Sequence, residues 1–263
     1  RTPSGGSARK IYAGAQANTP TFHGALVDQA YARQYPEIVV AYLRASIEAN
    51  QLLAAEPEKY SELIAKVTGV DAEVNYLFHG PLGVQTRDLT WKPEYRQAVG
   101  TAIDTLKLLK KADRGLDLNT FIDDQYIRAA FKASNLDYTA QLANYAQTPL
   151  STDAASGQAI TDASHVAEIW VRGEPKVRHY ASAQSAFAAL ASLKQEGKGI
   201  RAVYAQARDS GIKLLAEQAW FASDAKGQLS AFLLKGQAQQ FATAQGGKVL
   251  DFSEATTQAV AAR

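Results

Sequence analysis

One pattern occurs twice between Val166 and Phe252, and it constrains the fold more than any other feature of the chain. In each copy, two β-prone runs precede a helical stretch, and a third β-prone run follows it. The first copy consists of Val166–Val171, Lys176–Tyr180, a helix from Ser182 to Leu193, and Ile200–Tyr204. Short apolar runs bounded by turn residues predict the strands, and apolar residues three and four positions apart predict the helix.

The second copy follows the same order. It consists of Ala219–Ala222, Leu229–Leu234, a short helix around Phe241, and a strand at Lys248–Phe252. Two units are too few for a solenoid, so the repeat predicts a compact duplicated module of strand-strand-helix-strand units.

Large aromatic residues are expected to anchor the core of this module, because aromatic side chains at strand and helix spacing usually serve packing. They are Trp170, Trp220, Phe232 and Phe241. Trp170 and Trp220 are predicted to occupy matching places in the first strands of the two copies.

The first half of the chain has a different pattern, which predicts that residues 28–135 are largely helical. Pro36 and Pro57 each stand where a helix favours proline, at its first turn. In the helix after Pro36, apolar residues recur at helical spacing and predict its buried face. They are Ile38, Tyr42, Ala45, Ala49 and Leu52.

A polar, proline-containing stretch at residues 147–157 separates the two halves and predicts a domain boundary. The expected domains are 1–147 and 148–263. A helical part followed by strand-rich repeats predicts an α+β fold.

Composition excludes several classes of function. The net charge of +2 is spread along the chain, which argues against a nucleic-acid partner, and no apolar run is long enough to span a bilayer. With no cysteine, the chain has no disulfide, no thiolate metal site and no cysteine nucleophile. No Ser-His-Asp ordering, phosphate loop or nucleophile elbow appears, so we expect no enzymatic activity and no cofactor.

The first half resembles the C-terminal portion of periplasmic substrate-binding proteins of the nitrate, sulfonate and taurine ABC importers. The resemblance rests on Asn18–His23, Tyr35–Tyr42 and Leu118–Arg128, and covers roughly residues 10–140. It implies a periplasmic protein that delivers a small anionic solute to the importer's membrane subunits. In such proteins a cleft between two α/β lobes holds the ligand, so we expect most of that fold to precede Arg1.

Thr19, Thr21 and His23 are the candidate ligand-binding residues of this half. They alternate along an extended run, so their side chains are expected to point to one face. Hydroxyl and imidazole donors suit an oxyanion such as a sulfonate or nitrate. Alternatively, the three side chains satisfy backbone groups beside Pro20.

The second half resembles NosL, the family of copper(I)-carrying accessory lipoproteins of nitrous-oxide reductase. The duplicated pattern, Ala219-Trp220 and Gly246–Phe252 carry this resemblance. The family has a Cys-x-x-Cys-Gly-Met type stretch whose counterpart here begins at Asp153. Asp153, Ser156 and Gln158 replace the sulfur ligands that copper(I) selects, so we expect no bound metal.

Two further hypotheses come from other classes. His165 and His179 flank the first strand of the repeat and predict a metal chaperone if a third ligand comes from elsewhere. The repeat is alternatively an interaction module without a ligand. The remaining polar candidates are expected to be a helix-end histidine and surface carboxylates. They are His79, Asp123, Asp124 and Glu217.

Overall fold

The computed structural model describes residues 24–85, 88–145 and 151–262, and every structural statement below refers to those ranges. The predicted α+β fold is confirmed, with mainly helical structure first and small antiparallel sheets afterwards. Among the described residues, no helix is both long enough and apolar enough to cross a bilayer.

The described residues form eleven α-helices. They are α1 (Gln29–Gln34), α2 (Pro36–Ala55), α3 (Pro57–Thr68), α4 (Ala72–His79), α5 (Pro93–Leu108), α6 (Leu118–Phe121), α7 (Gln125–Ala133), α8 (Tyr138–Ala143), α9 (Ala183–Gln195), α10 (Lys235–Gln245) and α11 (Phe252–Ala261). Proline begins α2, α3 and α5, where its missing N–H costs no helical hydrogen bond. Gly69 ends α3 in the left-handed conformation, which glycine adopts without strain.

Seven strands form two sheets. They are β1 (Ala167–Val171), β2 (Arg178–Tyr180), β3 (Ile200–Gln206), β4 (Lys213–Leu215), β5 (Trp220–Ser223), β6 (Leu229–Phe232) and β7 (Val249–Leu250). The strand orders are β2-β1-β3-β4 and β6-β5-β7, with antiparallel neighbours throughout.

The predicted duplication is confirmed at the level of topology. In each copy the first strand lies between the second and the third, and a helix connects those two outer strands. β4 and α11 lie outside the repeat and were not predicted. The expected strand at Lys248–Phe252 is only partly correct, because β7 ends at Leu250 and α11 begins at Phe252.

The prediction that Trp170 and Trp220 occupy matching places is wrong. Trp170 packs with Tyr76 of α4, on the sheet face opposite the one that α9 covers. Trp220 packs on the same side of its sheet as α10, the helix of its own copy. Side chains alternate between the two faces of a sheet along a strand. The positions of Trp170 and Trp220 within their copies differ by an odd number of residues, so the two rings lie on opposite faces. Trp170 and Phe232 are buried, whereas Trp220 and Phe241 are half-buried.

The described residues divide into two compact units. Residues 56–84 and 151–262 form one, and residues 24–55, 85 and 88–145 form the other. The α3–α4 hairpin therefore belongs with the duplicated module, although it precedes residue 147 in the chain. The boundary between domains 1–147 and 148–263 stays a prediction.

Three apolar clusters stabilise the unit that contains the sheets. The largest lies between α9 and α11 and the sheet residues they cover, with Phe187 in edge-to-face contact with Phe221 and Phe252 at 5.1 and 5.2 Å. A second lies between α10 and β5–β6. The third joins α4 to the outer face of the four-stranded sheet through Tyr76, Trp170 and Tyr204. Both faces of that sheet are thus covered by helices.

The helical unit has a smaller core, in which Ile47 of α2 packs against Ile127 and Phe131 of α7 and Tyr138 of α8. The predicted buried face of α2 is wrong. Ile38, Tyr42, Ala45, Ala49 and Leu52 are all exposed. The helix has apolar residues on two sides, and the structure buries the side of Ile47.

Candidate functional site

The ligand-binding residues predicted in the first half, Thr19, Thr21 and His23, lie outside the described residues. Their role in binding an anionic solute stays a prediction.

His165 and His179, the candidate metal ligands, each engage a different partner. The His165 ring nitrogen lies 2.9 Å from Arg208 Nη1, and His179 Nε2 lies 3.6 Å from Glu168 Oε1. Within the described ranges, no group of three or more histidine, aspartate and glutamate side chains has the geometry to hold a metal ion. A cation such as Arg208 beside a ring nitrogen disfavours a second cation there.

The predicted counterpart of the copper-binding motif, residues 153–158, forms a closed local turn. Asp153 is buried, and its carboxylate accepts hydrogen bonds from the N–H groups of Ala155 and Ser156 at 2.7 and 3.0 Å and of Ala181 at 2.7 Å. The hydroxyl of Ser156 accepts a long hydrogen bond from the N–H of Gln158. The carboxylate of Asp153 therefore anchors the turn to the end of β2.

These hydrogen bonds set the charge state of Asp153. Burial raises the pKa of its carboxyl, but hydrogen bonds from Ala181, Ser156 and Ala155 together lower the pKa below its ordinary value. A lowered folded-state pKa stabilises the fold above the unfolded pKa of about 3.9, and this contribution is lost as the pH falls through the folded pKa.

Asp153→Asn is accordingly expected to lower the free energy of unfolding by about 1–3 kcal/mol at neutral pH, because charge-assisted hydrogen bonds are weakened. Urea unfolding from pH 7 down to pH 3 should show this difference shrinking below about pH 4. Asp209→Asn, at an exposed position in the same unit, is the matched control and should have little effect. A loss that stays constant down to pH 3 would contradict the assigned role of the carboxylate.

The other polar candidates have structural partners or lie at the surface. Asp123 accepts from the N–H of Gln125 at 3.1 Å, and Asp124 bonds Arg128 at 2.9 and 3.0 Å. His79 is the last residue of α4, and Glu217 is exposed. The two adjacent aspartates thus serve separate contacts and do not act as a carboxylate pair.

A buried ion pair in the four-stranded sheet was not predicted from the sequence. Lys213 Nζ of β4 lies 3.0 and 2.7 Å from the two carboxylate oxygens of Glu168 in β1. Their side chains are 1% and 2% exposed, so both charges have left water and depend on each other. The available sequence signal is a charge within each of two apolar runs, Val166–Val171 and Ile212–Leu215.

Aromatic rings enclose this ion pair. Lys213 Nζ lies 4.4 Å from the ring centre of Tyr76 and 5.5 Å from that of Tyr204, within range of cation–π attraction. Burial and the nearby charge of Glu168 raise the pKa of the Tyr76 hydroxyl well above its ordinary value. That hydroxyl is buried without a hydrogen-bond partner among the described residues, whereas the Tyr204 hydroxyl donates to the Glu73 carbonyl at 2.9 Å.

A cleft of about 940 Å³ offers a more accessible site on the same unit. One wall is the first turn of α9, where Ser182 caps the helix by accepting from the N–H of Ser185 at 3.1 Å. The opposite wall consists of the β5–β6 turn, the segment before β7 and the end of α11.

Glycine shapes that opposite wall. A Cβ at Gly247 would lie 1.9 Å from the Ser223 carbonyl oxygen, so no side chain fits at this position. The close approach lets the N–H of Lys248 donate to the Ser223 hydroxyl at 3.2 Å, which fixes the backbone from which Lys248 projects. Lys226, in the β5–β6 turn, is the second exposed lysine of the cleft.

Two further side chains define the cleft's polarity. Asp224 accepts from the N–H groups of Lys226 and Gln228 at 2.8 and 2.9 Å, so one of its oxygens is engaged within the turn. Gln184, in the first turn of α9, has a buried side-chain oxygen with no hydrogen-bond partner among the described residues. The lining therefore offers two cations, a helix amino terminus and the carboxylate of Asp224, whereas the Gln184 oxygen is out of a ligand's reach.

Comparison with known proteins adds one weak similarity. No family model matches the sequence, and no curated protein matches it significantly. Among solved structures, the copper chaperone NosL from Shewanella denitrificans matches with a TM-score of 0.34 and 20% sequence identity, over 42% of this chain and 93% of that protein. This similarity is too weak to support an argument about function, and the resemblance to ABC-importer binding proteins has no match.

Proposed function

We propose that the chain is a non-enzymatic binding protein that holds a small anionic solute in the cleft between α9 and the β5–β6 turn. The observation that carries the proposal is the convergence of Lys226, Lys248 and the amino-terminal turn of α9 on one cleft. Its volume of about 940 Å³ is in the range of small-molecule sites.

The three groups favour the same kind of ligand. Lysine ammonium groups attract anions, and the first turn of a helix presents unpaired N–H groups and a positive dipole end. Because α9 has 13 residues, its dipole is well developed. An anionic group placed between the lysines and this turn is therefore stabilised from both walls.

The carboxylate of Asp224 narrows the choice of solute. It lines the same cleft and uses only one oxygen within the turn, so a ligand that also carries a cationic N–H group can bind its other oxygen. A small sulfonate that also bears an ammonium group satisfies both features of the lining. Plain nitrate satisfies only the cationic part.

The role in transport rests on the sequence resemblance. In this proposal the protein works in the periplasm and delivers its solute to the membrane subunits of an ABC importer of the sulfonate, nitrate and taurine class. Thr19, Thr21 and His23 would form a separate anion contact in that half of the protein.

Isothermal titration calorimetry with taurine, methanesulfonate and nitrate tests the cleft. Taurine is expected to bind more tightly than methanesulfonate, which has no ammonium donor. Lys226→Gln with Lys248→Gln should weaken taurine binding about tenfold or more, because charge-assisted hydrogen bonds contribute about 1.5–3 kcal/mol each.

The matched control replaces two exposed lysines outside the cleft, Lys110→Gln with Lys111→Gln, and so has the same change in net charge. It is expected to bind taurine like the unaltered chain. Equal weakening in both double variants, or no binding of any of the three anions, would contradict the proposal.

A further inference from the structure

The exposed side of α2 carries a continuous apolar stripe. It consists of Ile38, Tyr42, Ala45, Ala49 and Leu52, separated by four, three, four and three residues. We call these five residues the α2 stripe. The three large members expose 48%, 62% and 40% of their surface. Apolar residues at alternating three- and four-residue spacing form the contact line of paired helices.

The opposite side of α2 already serves the core of its own unit. Ile47 is 3% exposed, and Val40 and Leu43 pack against the same cluster as Phe131 of α7. A helix that is apolar on two opposite sides is typical of one that is covered on both. The α2 stripe is therefore the side that still lacks a partner among the described residues.

Two more exposed aromatic residues precede the stripe, Tyr31 in α1 and Tyr35 at the break between α1 and α2. Tyr35 and Tyr31 precede Ile38 by three and seven residues, and their ring centres lie 5.1 Å apart. They expose 37% and 42% of their surface. The extended stripe therefore consists of this tyrosine pair and the α2 stripe, joined across the helix break at Tyr35.

We propose that the α2 stripe pairs with the same stripe of a second copy of this chain, in an antiparallel, two-fold arrangement. The sizes of the side chains favour the antiparallel orientation. The amino-terminal members Ile38 and Tyr42 are large, whereas Ala45 and Ala49 are small. Facing positions pack well when a large residue meets a small one.

An antiparallel pair satisfies this condition at successive layers. Tyr42 lies opposite the partner's Ala45, and Ile38 lies opposite the partner's Ala49. In the parallel arrangement, Tyr42 meets its own equivalent and the two alanines meet theirs, which leaves alternating crowding and gaps.

The available area fits a dimer of modest affinity. Five large side chains of the extended stripe expose between 37% and 62% of their surface, and each has on the order of 100 Å² left to bury. A pair of stripes therefore buries at most about 1,000 Å², which is the lower limit for a specific interface. We expect a concentration-dependent dimer.

Sedimentation velocity on the full chain, from about 10 µM to about 1 mM, tests the interface. The unaltered chain is expected to shift from monomer to dimer across this range. Tyr42→Glu and Ala49→Glu should each raise the dissociation constant at least about tenfold, because they place charge in the contact. Leu108→Glu changes a residue that is 83% exposed on α5 and should leave the dimer intact.

Because the chain has no cysteine, single introduced cysteines report the orientation. A mixture of Ile38→Cys and Ala49→Cys chains should form the mixed disulfide. Ala49→Cys alone should not, because the two copies of that residue lie about 16 Å apart along an antiparallel pair. A monomeric chain at every concentration, or equal loss of the dimer in Leu108→Glu, overturns the proposal. Efficient self-coupling of Ala49→Cys overturns the antiparallel arrangement.

Discussion

Replacing Lys213 with methionine is expected to lower the free energy of unfolding by about 3–5 kcal/mol, the usual cost of breaking a buried ion pair. Methionine fills a similar volume, so the loss comes chiefly from electrostatics. Glu168 would lose its nearest cation at a position where its side chain is 2% exposed, leaving His179 Nε2, at 3.6 Å, as a weaker partner. The loss should appear as a lower midpoint in urea unfolding of the full chain.

A second substitution distinguishes the effect of the poorly paired Glu168 charge on stability from the effect of altered packing. Glu168→Gln in the Lys213→Met background removes the poorly paired charge, so the double variant should be more stable than Lys213→Met alone. Lys194→Met, at an exposed position in the same unit, should change stability by no more than about 0.5 kcal/mol. A double variant as unstable as Lys213→Met would locate the damage in packing and contradict the electrostatic account.

Sequence patterns predicted the duplicated module because its signals are local. Alternation, helical spacing and turn residues each act within a few positions, and together they place the strands and helices of both copies. The ion pair is different, because Glu168 and Lys213 are 45 residues apart and meet only when β1, β3 and β4 align. The local sequence around either charge does not indicate which residue pairs with it.

Helix α11 was missed although its signal is present. Asp251 and Glu254 form a capping box, with the Glu254 N–H donating to Asp251 and the Asp251 N–H donating to Glu254, at 2.8 and 2.9 Å. This spacing of an acidic cap and an acid three residues later is a known start of a helix. The prediction of a strand at Lys248–Phe252 did not take this helix-start signal into account.

The buried face of α2 could not be chosen from the sequence. The helix has one apolar line through Tyr42 and another through Ile47. Periodicity predicts that both lines are apolar, but only the position of α7 decides which one the unit's own core covers. The apolar line that the core does not cover is the α2 stripe, which therefore stays exposed and can contact a partner.

The candidate cleft was also beyond sequence reasoning. Lys226 and Lys248 belong to the second copy, whereas Gln184 belongs to the helix of the first. Their convergence depends on how the two copies pack around Phe187 and Phe221. The glycine pair Gly246-Gly247 is a local signal in the sequence, since glycine is common where another backbone approaches closely, but it was not interpreted in this way.

Residues 148–263 produced alone are expected to be unfolded or aggregated, because the α3–α4 hairpin covers one face of their four-stranded sheet. Without residues 56–84, Trp170 and Tyr204 lose the ring of Tyr76, which lies 5.4 Å from each. Exposing large buried aromatic and aliphatic side chains costs about 1.5–3 kcal/mol each. A few such losses match the whole stability of a typical domain, about 5–15 kcal/mol.

Polar contacts across the same face add to the effect. Glu58 accepts from the N–H of Val177 at 2.9 Å, and Arg201 is held by Glu62 and Glu73 at 2.6 and 2.7 Å. All three carboxylates lie on α3 and α4. Removing these helices therefore leaves the N–H of Val177 and the guanidinium of Arg201 without these acceptors. The isolated fragment should therefore fail to show a cooperative thermal transition by circular dichroism.

Complementation decides whether the hairpin is the missing element. A synthetic peptide of residues 56–84, added to the fragment or joined to it by a flexible linker, should restore a cooperative transition. The same peptide with Tyr76→Ala should restore much less, because truncating a buried aromatic side chain costs about 3–5 kcal/mol. A fragment 148–263 that melts cooperatively near the temperature of the full chain would instead establish that the duplicated module folds without α3 and α4. In that case the outer face of its sheet, with Trp170 and the Glu168–Lys213 pair, must tolerate water.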